Sequence, residues 1–267
     1  MGESGIPSLP RRQRLAVLAA LGATAAVAWA YLVVMAVEMD GMDMSSPMAM
    51  EIRPWSAADF GLMFVMWAVM MVGMMVPTAA PTTLVYAAVA RKAASQGTPV
   101  APTAAFVSGY VAMWTLFSVA ATLAQWALDQ AALLSPGMVT MSPWLGALLL
   151  FGAGVYQLTP AKQACLRHCR APTHFIAEQW RPGVMGALRM GAWHGAFCLG
   201  CCWALMGLLF FGGVMNLLWI AAIMLFVLAE KVLPLRDGAT RWTGAAMMLA
   251  GVAVAARWLL TGQASSL

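Results

Sequence analysis

The side chains with the most evident chemistry in this sequence are three cysteines and a histidine within one apolar, helix-length stretch. They are His194, Cys198, Cys201 and Cys202. At about 100° per residue, these positions fall within about 100° of one helix face. Thiolates and imidazoles bind soft metal ions, and ionisable groups are costly in apolar segments of this length. The spacing predicts a soft-metal site or a redox-active thiol pair.

A second pair of cysteines, Cys165 and Cys169, lies upstream among basic residues. Positions i and i+4 share a helix face, so these thiols can chelate one soft ion. A reducing cytoplasm disfavours a structural disulfide, which leaves metal binding, redox sensing and inert packing open. Zinc is a less favoured ion, because it needs four ligands and His168 points away from this face. We predict a cytoplasmic exchange site here.

Methionines supply a third group of soft side chains. Met63, Met66, Met70 and Met74 share one face of the second apolar segment. Thioethers favour Cu(I), but methionine is also a common filler of helix interfaces, so both interpretations stay open. The stripe is a metal candidate only if it faces Cys198.

The loop after the first apolar segment is also rich in methionine, with carboxylates between the thioethers. It contains Glu38, Met39, Asp40, Met42, Asp43, Met44, Met48, Met50 and Glu51. Thioethers could hold Cu(I) weakly while the carboxylates attract cations. A plain linker is the alternative, because compositional bias alone is weak evidence.

The composition requires that these groups lie in a membrane protein. Of 267 residues, 62% are hydrophobic and 9% charged, whereas soluble domains carry about 25% charged residues. The pattern predicts an all-α, polytopic bundle of seven transmembrane helices of about 20 residues each. The segments are 15–37, 60–80, 102–126, 143–159, 190–211, 215–233 and 242–260. Strand-like alternation does not recur, so a barrel is not expected.

The basic residues predict the orientation of the bundle. All but Arg53 and Arg257 fall on one side of these segments, which places the N-terminus inside and the C-terminus outside. The net charge of +5 then reflects topology rather than a nucleic-acid partner. Ala28-Trp29-Ala30 resembles a signal-peptide cleavage site, but the apolar run continues to Val37 and favours an uncleaved anchor.

The segments divide the chain into five regions. They are a basic cytoplasmic N-terminus at 1–14, a first transmembrane anchor at 15–37, a Met-rich outer loop at 38–59, a six-helix metal-binding membrane domain at 60–260 and an outer tail at 261–267. The Gly-rich fourth segment leaves room for a homo-oligomer, since small residues allow helices to approach closely.

Two further features concern the inner ends of helices. Pro77 and Pro81 remove backbone hydrogen bonds and predict a kink or an end of the second helix. Glu230 and Lys231 close the sixth segment. This pair predicts an interfacial anchor in which Lys231 extends to the headgroups, and the alternative is that Glu230 binds a cation or a proton.

Helix geometry predicts the depth of the cysteines. With a rise of 1.5 Å per residue from Met190, Cys198 to Cys202 lie about 12 to 18 Å deep, near the middle of a ~30 Å hydrocarbon core. The predicted order from the cytoplasm is Cys165 and Cys169, then His194, then Cys198 to Cys202. Such a ladder suggests that a metal moves along it.

Several motifs resemble a bacterial family of unknown function described as predicted metal-binding integral membrane proteins, some of them labelled copper chaperones. The resemblance covers about residues 55–235 and includes the fairly specific element Gly200-Cys201-Cys202-Trp203. The other matching elements are Met66-Trp67 to Pro77, Tyr156-Gln157-Leu158-Thr159-Pro160 leading to Cys165 and Cys169-Arg170, and Met215-Asn216 with Glu230-Lys231. The resemblance implies a metal role and a bacterial inner membrane location.

These observations together predict an inner-membrane protein that binds Cu(I) through Cys198, Cys201, Cys202 and His194. Its role would be copper transfer or delivery, with a cuproenzyme or a soluble copper-binding protein as partner, and it is favoured over an enzyme. The main rival is a membrane thiol–disulfide or quinone-linked oxidoreductase. A scaffold subunit of a metal-dependent oxidase is a further alternative. No nucleotide-binding loop is visible, so ATP-driven pumping by this chain is not expected.

Overall fold

The described part of the protein is built from helices. The computed structural model describes residues 9–40, 55–135, 138–233 and 237–264, and within them the only β pairing is an isolated bridge between Leu134 and Thr140. This confirms the predicted all-α class. The helices are α1 (Arg11–Asp40), α2 (Ala57–Met75), α3 (Ala80–Ser95), α4 (Thr103–Gln130), α5 (Pro143–Leu158), α6 (Pro160–Arg170), α7 (Pro172–Gln179), α8 (Gly183–Gly207), α9 (Leu209–Gly212), α10 (Leu217–Val232) and α11 (Asp237–Ala264).

Five stretches of the described chain are long and apolar enough to cross a membrane. They are Arg11–Glu38, Ala57–Ser95, Thr103–Gln130, Gly183–Gly212 and Thr240–Leu260, and the bent pair α5–α6 would add a sixth. Of the seven predicted segments, 143–159 and 215–233 fall short on their own, because α5 and α10 have 16 residues each. A multi-helix membrane architecture is supported, and the count of seven stays a prediction.

The predicted loop between the fourth and fifth segments is helical. The axes of α5 and α6 differ by 66°. Thr159 caps α6 by accepting a hydrogen bond from the backbone N–H of Lys162, and Pro160 occupies the first turn, where a missing N–H costs little. The bend lets α6 fold back and pack against α8.

The predicted break at Pro77 is confirmed. Helix α2 ends at Met75, and a 3₁₀ turn at Pro77–Ala79 leads into α3. Within this turn the Ala79 N–H bonds the Val76 carbonyl rather than the Met75 carbonyl that an uninterrupted α-helix would use. The Met75 carbonyl is therefore free to accept hydrogen bonds from side chains.

Glycines allow two helix pairs to pack closely. A Cβ added to Gly191 of α8 would overlap the Phe106 carbonyl of α4, and one added to Gly154 of α5 would lie 2.6 Å from the Gly244 carbonyl of α11. Gly191 therefore lets the backbone of α8 lie directly against that of α4. Gly154 of the Gly-rich fourth segment thus packs against α11 of the same chain. The prediction of a homo-oligomer through that segment is not tested by this contact.

Candidate metal centre

The three cysteines of α8 are all buried in the core of the bundle. Cys198, Cys201 and Cys202 are at most 2% exposed. The Sγ atoms of Cys201 and Cys202 each donate to the Cys198 carbonyl, at 3.0 Å. Consistent with the predicted shared face, the three thiols point into one core cluster.

The two cysteines of α6 join the same cluster. The Cys169 thiol, 8% exposed, interacts with the Cys201 thiol. The Cys165 Sγ lies against Gly200, where an added Cβ would be 2.7 Å away. The predicted ladder, with a separate cytoplasmic pair below His194, is wrong, because the bend before α6 places both thiols beside the far part of α8.

Four of the thiols form a continuous row, which we call the thiol row. Side-chain interactions join Cys169 to Cys201, Cys201 to Cys202, and Cys202 to Cys198, and none of the five cysteines is in a disulfide. Among the described residues, no three His, Cys, Asp or Glu side chains converge well enough to hold one ion. The described thiols thus follow one another in pairs along the row.

A buried lysine lies at the Cys198 end of the thiol row. The Lys231 Nζ is 2.8 Å from the Cys198 Sγ and donates to the Thr78 hydroxyl at 3.0 Å. Lys231 is only 8% exposed. Its predicted role as an interfacial anchor is therefore wrong, because its ammonium group points into the bundle.

Tyr110 connects the same thiol to the break after α2. Its hydroxyl lies 3.0 Å from the Cys198 Sγ and donates to the freed Met75 carbonyl at 3.0 Å. Thr78 donates to the same carbonyl at 2.9 Å. The proline break thus supplies the acceptor that positions the polar groups around Cys198.

The other half of the predicted anchor forms a buried ion pair. The Glu230 carboxylate is 2.7 Å from the Lys162 Nζ, and both side chains are buried. Gln157 bonds both partners, and the Arg170 Nε donates to the Glu230 carbonyl at 2.7 Å. The cationic partner of Glu230 is thus Lys162. This ion pair joins α6 to α10, and Gln157 joins α5 to both.

His194 lies in an aromatic pocket beside the thiols. Its ring centroid is 5.3 Å from Phe175, 5.5 Å from Tyr110 and 6.1 Å from Phe106. It is 3% exposed, and its Nδ1 has no hydrogen-bond partner. The structure does not bring His194 into a three-ligand group with the thiols.

The methionine stripe of α2 faces the interior of the bundle. Met66, Met70 and Met74 are fully buried, in the same core cluster as the α8 thiols. The Met63 Sδ accepts from the Gln125 amide at 3.4 Å. Helix α2 packs mainly on α1 and α4, whereas α8 packs mainly on α4 and α6. The stripe therefore lies in the packed core that also holds the α8 thiols, and its role as a metal site stays a prediction.

Three residues of the site were not singled out from the sequence, and most of the Met-rich loop lies outside the described residues. The sequence assigned no chemistry to Tyr110, Thr78 or Lys162. Of the Met-rich loop, positions 41–54 lie outside the described residues.

One comparison with known proteins identifies a family. A family model described as "PpoB2: Copper chaperone" matches residues 64–254. The match includes the thiol row, Tyr110 and Lys231, and it begins after α1 and the Met-rich loop. No curated protein and no solved structure matches the chain.

Proposed function

This chain belongs to the PpoB2 family of copper chaperones, and on that premise we propose that it carries Cu(I) on the thiol row. The observation that supports this most is the row itself, in which four buried thiols from two facing helices follow one another. Thiolates are the soft ligands that select Cu(I). Copper is the cargo in this proposal, so binding must be reversible.

The thiol row favours binding by two ligands at a time. When Cu(I) binds a pair of thiols, both lose their protons, giving one [Cu(SR)₂]⁻ complex and two released protons. The next thiol of the row can then replace one thiolate of the pair, passing its proton to the sulfur that leaves. Copper would thereby exchange along the row without becoming free.

The remaining predicted ligands extend this proposal. Cys165 adjoins the row at Gly200, and the unpartnered Nδ1 of His194 lies in the adjoining pocket. Both are reserve ligands that need a side-chain movement. The stripe of Met63, Met66, Met70 and Met74 would offer weaker thioether sites towards the Met-rich loop.

We also propose the membrane setting of this activity. The protein would cross a bacterial inner membrane seven times, with α10 and the bent pair α5–α6 completing the five long stretches. The N-terminus would lie inside and the C-terminus outside. The partner would be a cuproenzyme or a soluble copper-binding protein.

The thiol–disulfide oxidoreductase is less well supported. Exchange with a protein substrate requires access to the attacking thiolate. Cys169, Cys198, Cys201 and Cys202 are 1–8% exposed, so a protein disulfide cannot reach them without a large opening of the bundle. A small ion needs far less room.

Anaerobic Cu(I) competition on the detergent-purified protein tests the proposal. The wild type is compared with a variant carrying Cys198→Ser, Cys201→Ser and Cys202→Ser, and with Cys165→Ser as the matched control. We expect tight binding by the wild type, loss in the triple variant and retention in the control. Equal, weak binding by wild type and triple variant would refute the proposal.

A further inference from the structure

We propose that Lys231 makes the thiol row selective for a monovalent soft cation over a divalent one, by balancing the charge of the loaded pair of thiolates. The inference rests on the proposed function and specifies its cargo. Its physical basis is that a net charge in an apolar interior is costly unless an opposite charge accompanies it.

The charge of Lys231 faces the thiols. Its Nζ contacts Cys198 and Thr78, and within the described ranges no carboxylate pairs with it. The adjacent Glu230 is held by Lys162 at 2.7 Å. Because the Lys162–Glu230 pair sums to zero, it leaves the Lys231 ammonium as the counter-charge for whatever binds next to Cys198.

The other groups around Cys198 do not alter this balance. Tyr110 and Thr78 approach as hydroxyls, and the Arg170 guanidinium is directed at the backbone of α10, where its Nε donates to the Glu230 carbonyl. The His194 ring is enclosed by aromatic side chains.

The charge of the cargo then decides which complex is neutral. A monovalent ion on two thiolates gives a complex of −1, and Lys231 brings the site to zero. A divalent ion on two thiolates is already neutral, so the ammonium is left uncompensated. A divalent ion reaches balance only with a third thiolate, and no three such side chains of the described chain converge.

This selection is expected to be strongest at the Cys198 end of the row, where the ammonium is 2.8 Å from the sulfur. The Cys169–Cys201 end depends on α6 and is further along the row. Lys231 therefore acts on specificity through charge without itself ligating the metal.

The test compares Ag(I) and Cd(II) affinities of the full-length protein in detergent. Ag(I) represents the monovalent soft class and Cd(II) the divalent class, whose thiolate coordination is visible by ultraviolet absorption. We expect Lys231→Gln to weaken Ag(I) binding and strengthen Cd(II) binding, moving their ratio by at least about tenfold. Lys231→Arg, which keeps the charge, should retain the wild-type ratio.

A double variant, Lys162→Met with Glu230→Gln, controls for the loss of a buried lysine, because it removes a pair with no net charge. Its metal ratio should match the wild type. An unchanged ratio in Lys231→Gln, with Ag(I) still bound, would overturn this inference and leave the proposed function intact. Wild-type protein that binds neither Ag(I) nor Cu(I) would instead overturn the proposed function.

Cd(II) binding by the wild-type protein also tests the inference, without any variant. If Lys231→Gln does not fold, the wild type alone still tests the inference, because its Cd(II) complex should be weak and need added ligands. Tight wild-type binding of Cd(II) by two thiolates would contradict a role for the Lys231 charge.

Discussion

At the residue scale, the environment of Cys198 distinguishes it from the other thiols. The Cys198 end of the thiol row lies beside the Tyr110 hydroxyl and the Lys231 ammonium group, which in turn bonds the Thr78 hydroxyl. At the opposite end, Cys169 of α6 contacts the thiol of Cys201 on α8. A metal ion would therefore experience a graded environment along the row.

Tyr110→Phe tests how far Cys198 depends on its hydroxyl neighbour. The change removes the hydrogen bond to Met75, while Thr78 still satisfies that carbonyl, so we expect a loss of about 1 kcal/mol in the free energy of unfolding. Cu(I) affinity should fall by less than in the triple cysteine variant. Thermal unfolding and Cu(I) competition measure the two effects, and an affinity loss as complete as in the triple variant would make Tyr110 a ligand.

Sequence reasoning succeeded for residues on one helix and failed between helices. The spacing of Cys198, Cys201 and Cys202 fixed their common face, because helical periodicity depends only on the chain itself. The contacts of Cys198 with Tyr110 and Lys231 join residues 88 and 33 positions apart. Such pairings depend on how the helices pack, which periodicity does not encode.

At the element scale, two proline-containing breaks shape the site. The turn at Pro77 frees a carbonyl beside Cys198, and the bend before Pro160 brings α6 against α8. The first break was predicted from the missing N–H of Pro77. The consequence of the second was not, since a Thr-Pro pair indicates where a helix begins and leaves its direction open.

Breaking the ion pair that fastens α6 should loosen this arrangement. Lys162→Met alone leaves the Glu230 carboxylate buried without its cation, and we expect a loss of about 3–5 kcal/mol in the free energy of unfolding. The double variant with Glu230→Gln should recover most of it. Denaturation in detergent checks this, and equal stability of single and double variants would show that the pair carries little weight.

The crossing of α4 and α8 should be intolerant of a side chain. Gly191→Ala puts a methyl group onto the Phe106 carbonyl, and because backbone cannot yield easily we expect destabilisation of about 1–3 kcal/mol. Gly61→Ala is the control, since nothing lies within 4 Å of its added Cβ and alanine favours a helix. A Gly191→Ala protein as stable as the control would contradict the close packing seen here.

At the scale of the whole molecule, the described chain is a helical bundle in which several helices are long and apolar enough to cross a membrane. The helix-length apolar segments and the lack of strand-like alternation were enough to predict the all-α class. The number of crossings was harder to predict. Helices α5 and α10 are short, and their membrane insertion depends on packing against neighbours.

Topology reporters fused to the two termini show whether the number of membrane crossings is odd or even. We expect a fluorescent reporter that folds only in the cytoplasm to be silent after residue 267 and active before residue 1, because seven crossings would place the termini on opposite sides. The positive-inside distribution supports this orientation. Activity at both ends would mean an even number of crossings and would contradict seven.

The most direct test of the central claim is copper X-ray absorption on the anaerobically Cu(I)-loaded protein. Copper binding by the thiol row predicts a first shell of two sulfur atoms that is lost when Cys198, Cys201 and Cys202 are replaced by serine. A first shell of nitrogen and oxygen atoms, or a sulfur shell unchanged in the triple variant, would contradict copper binding by the thiol row.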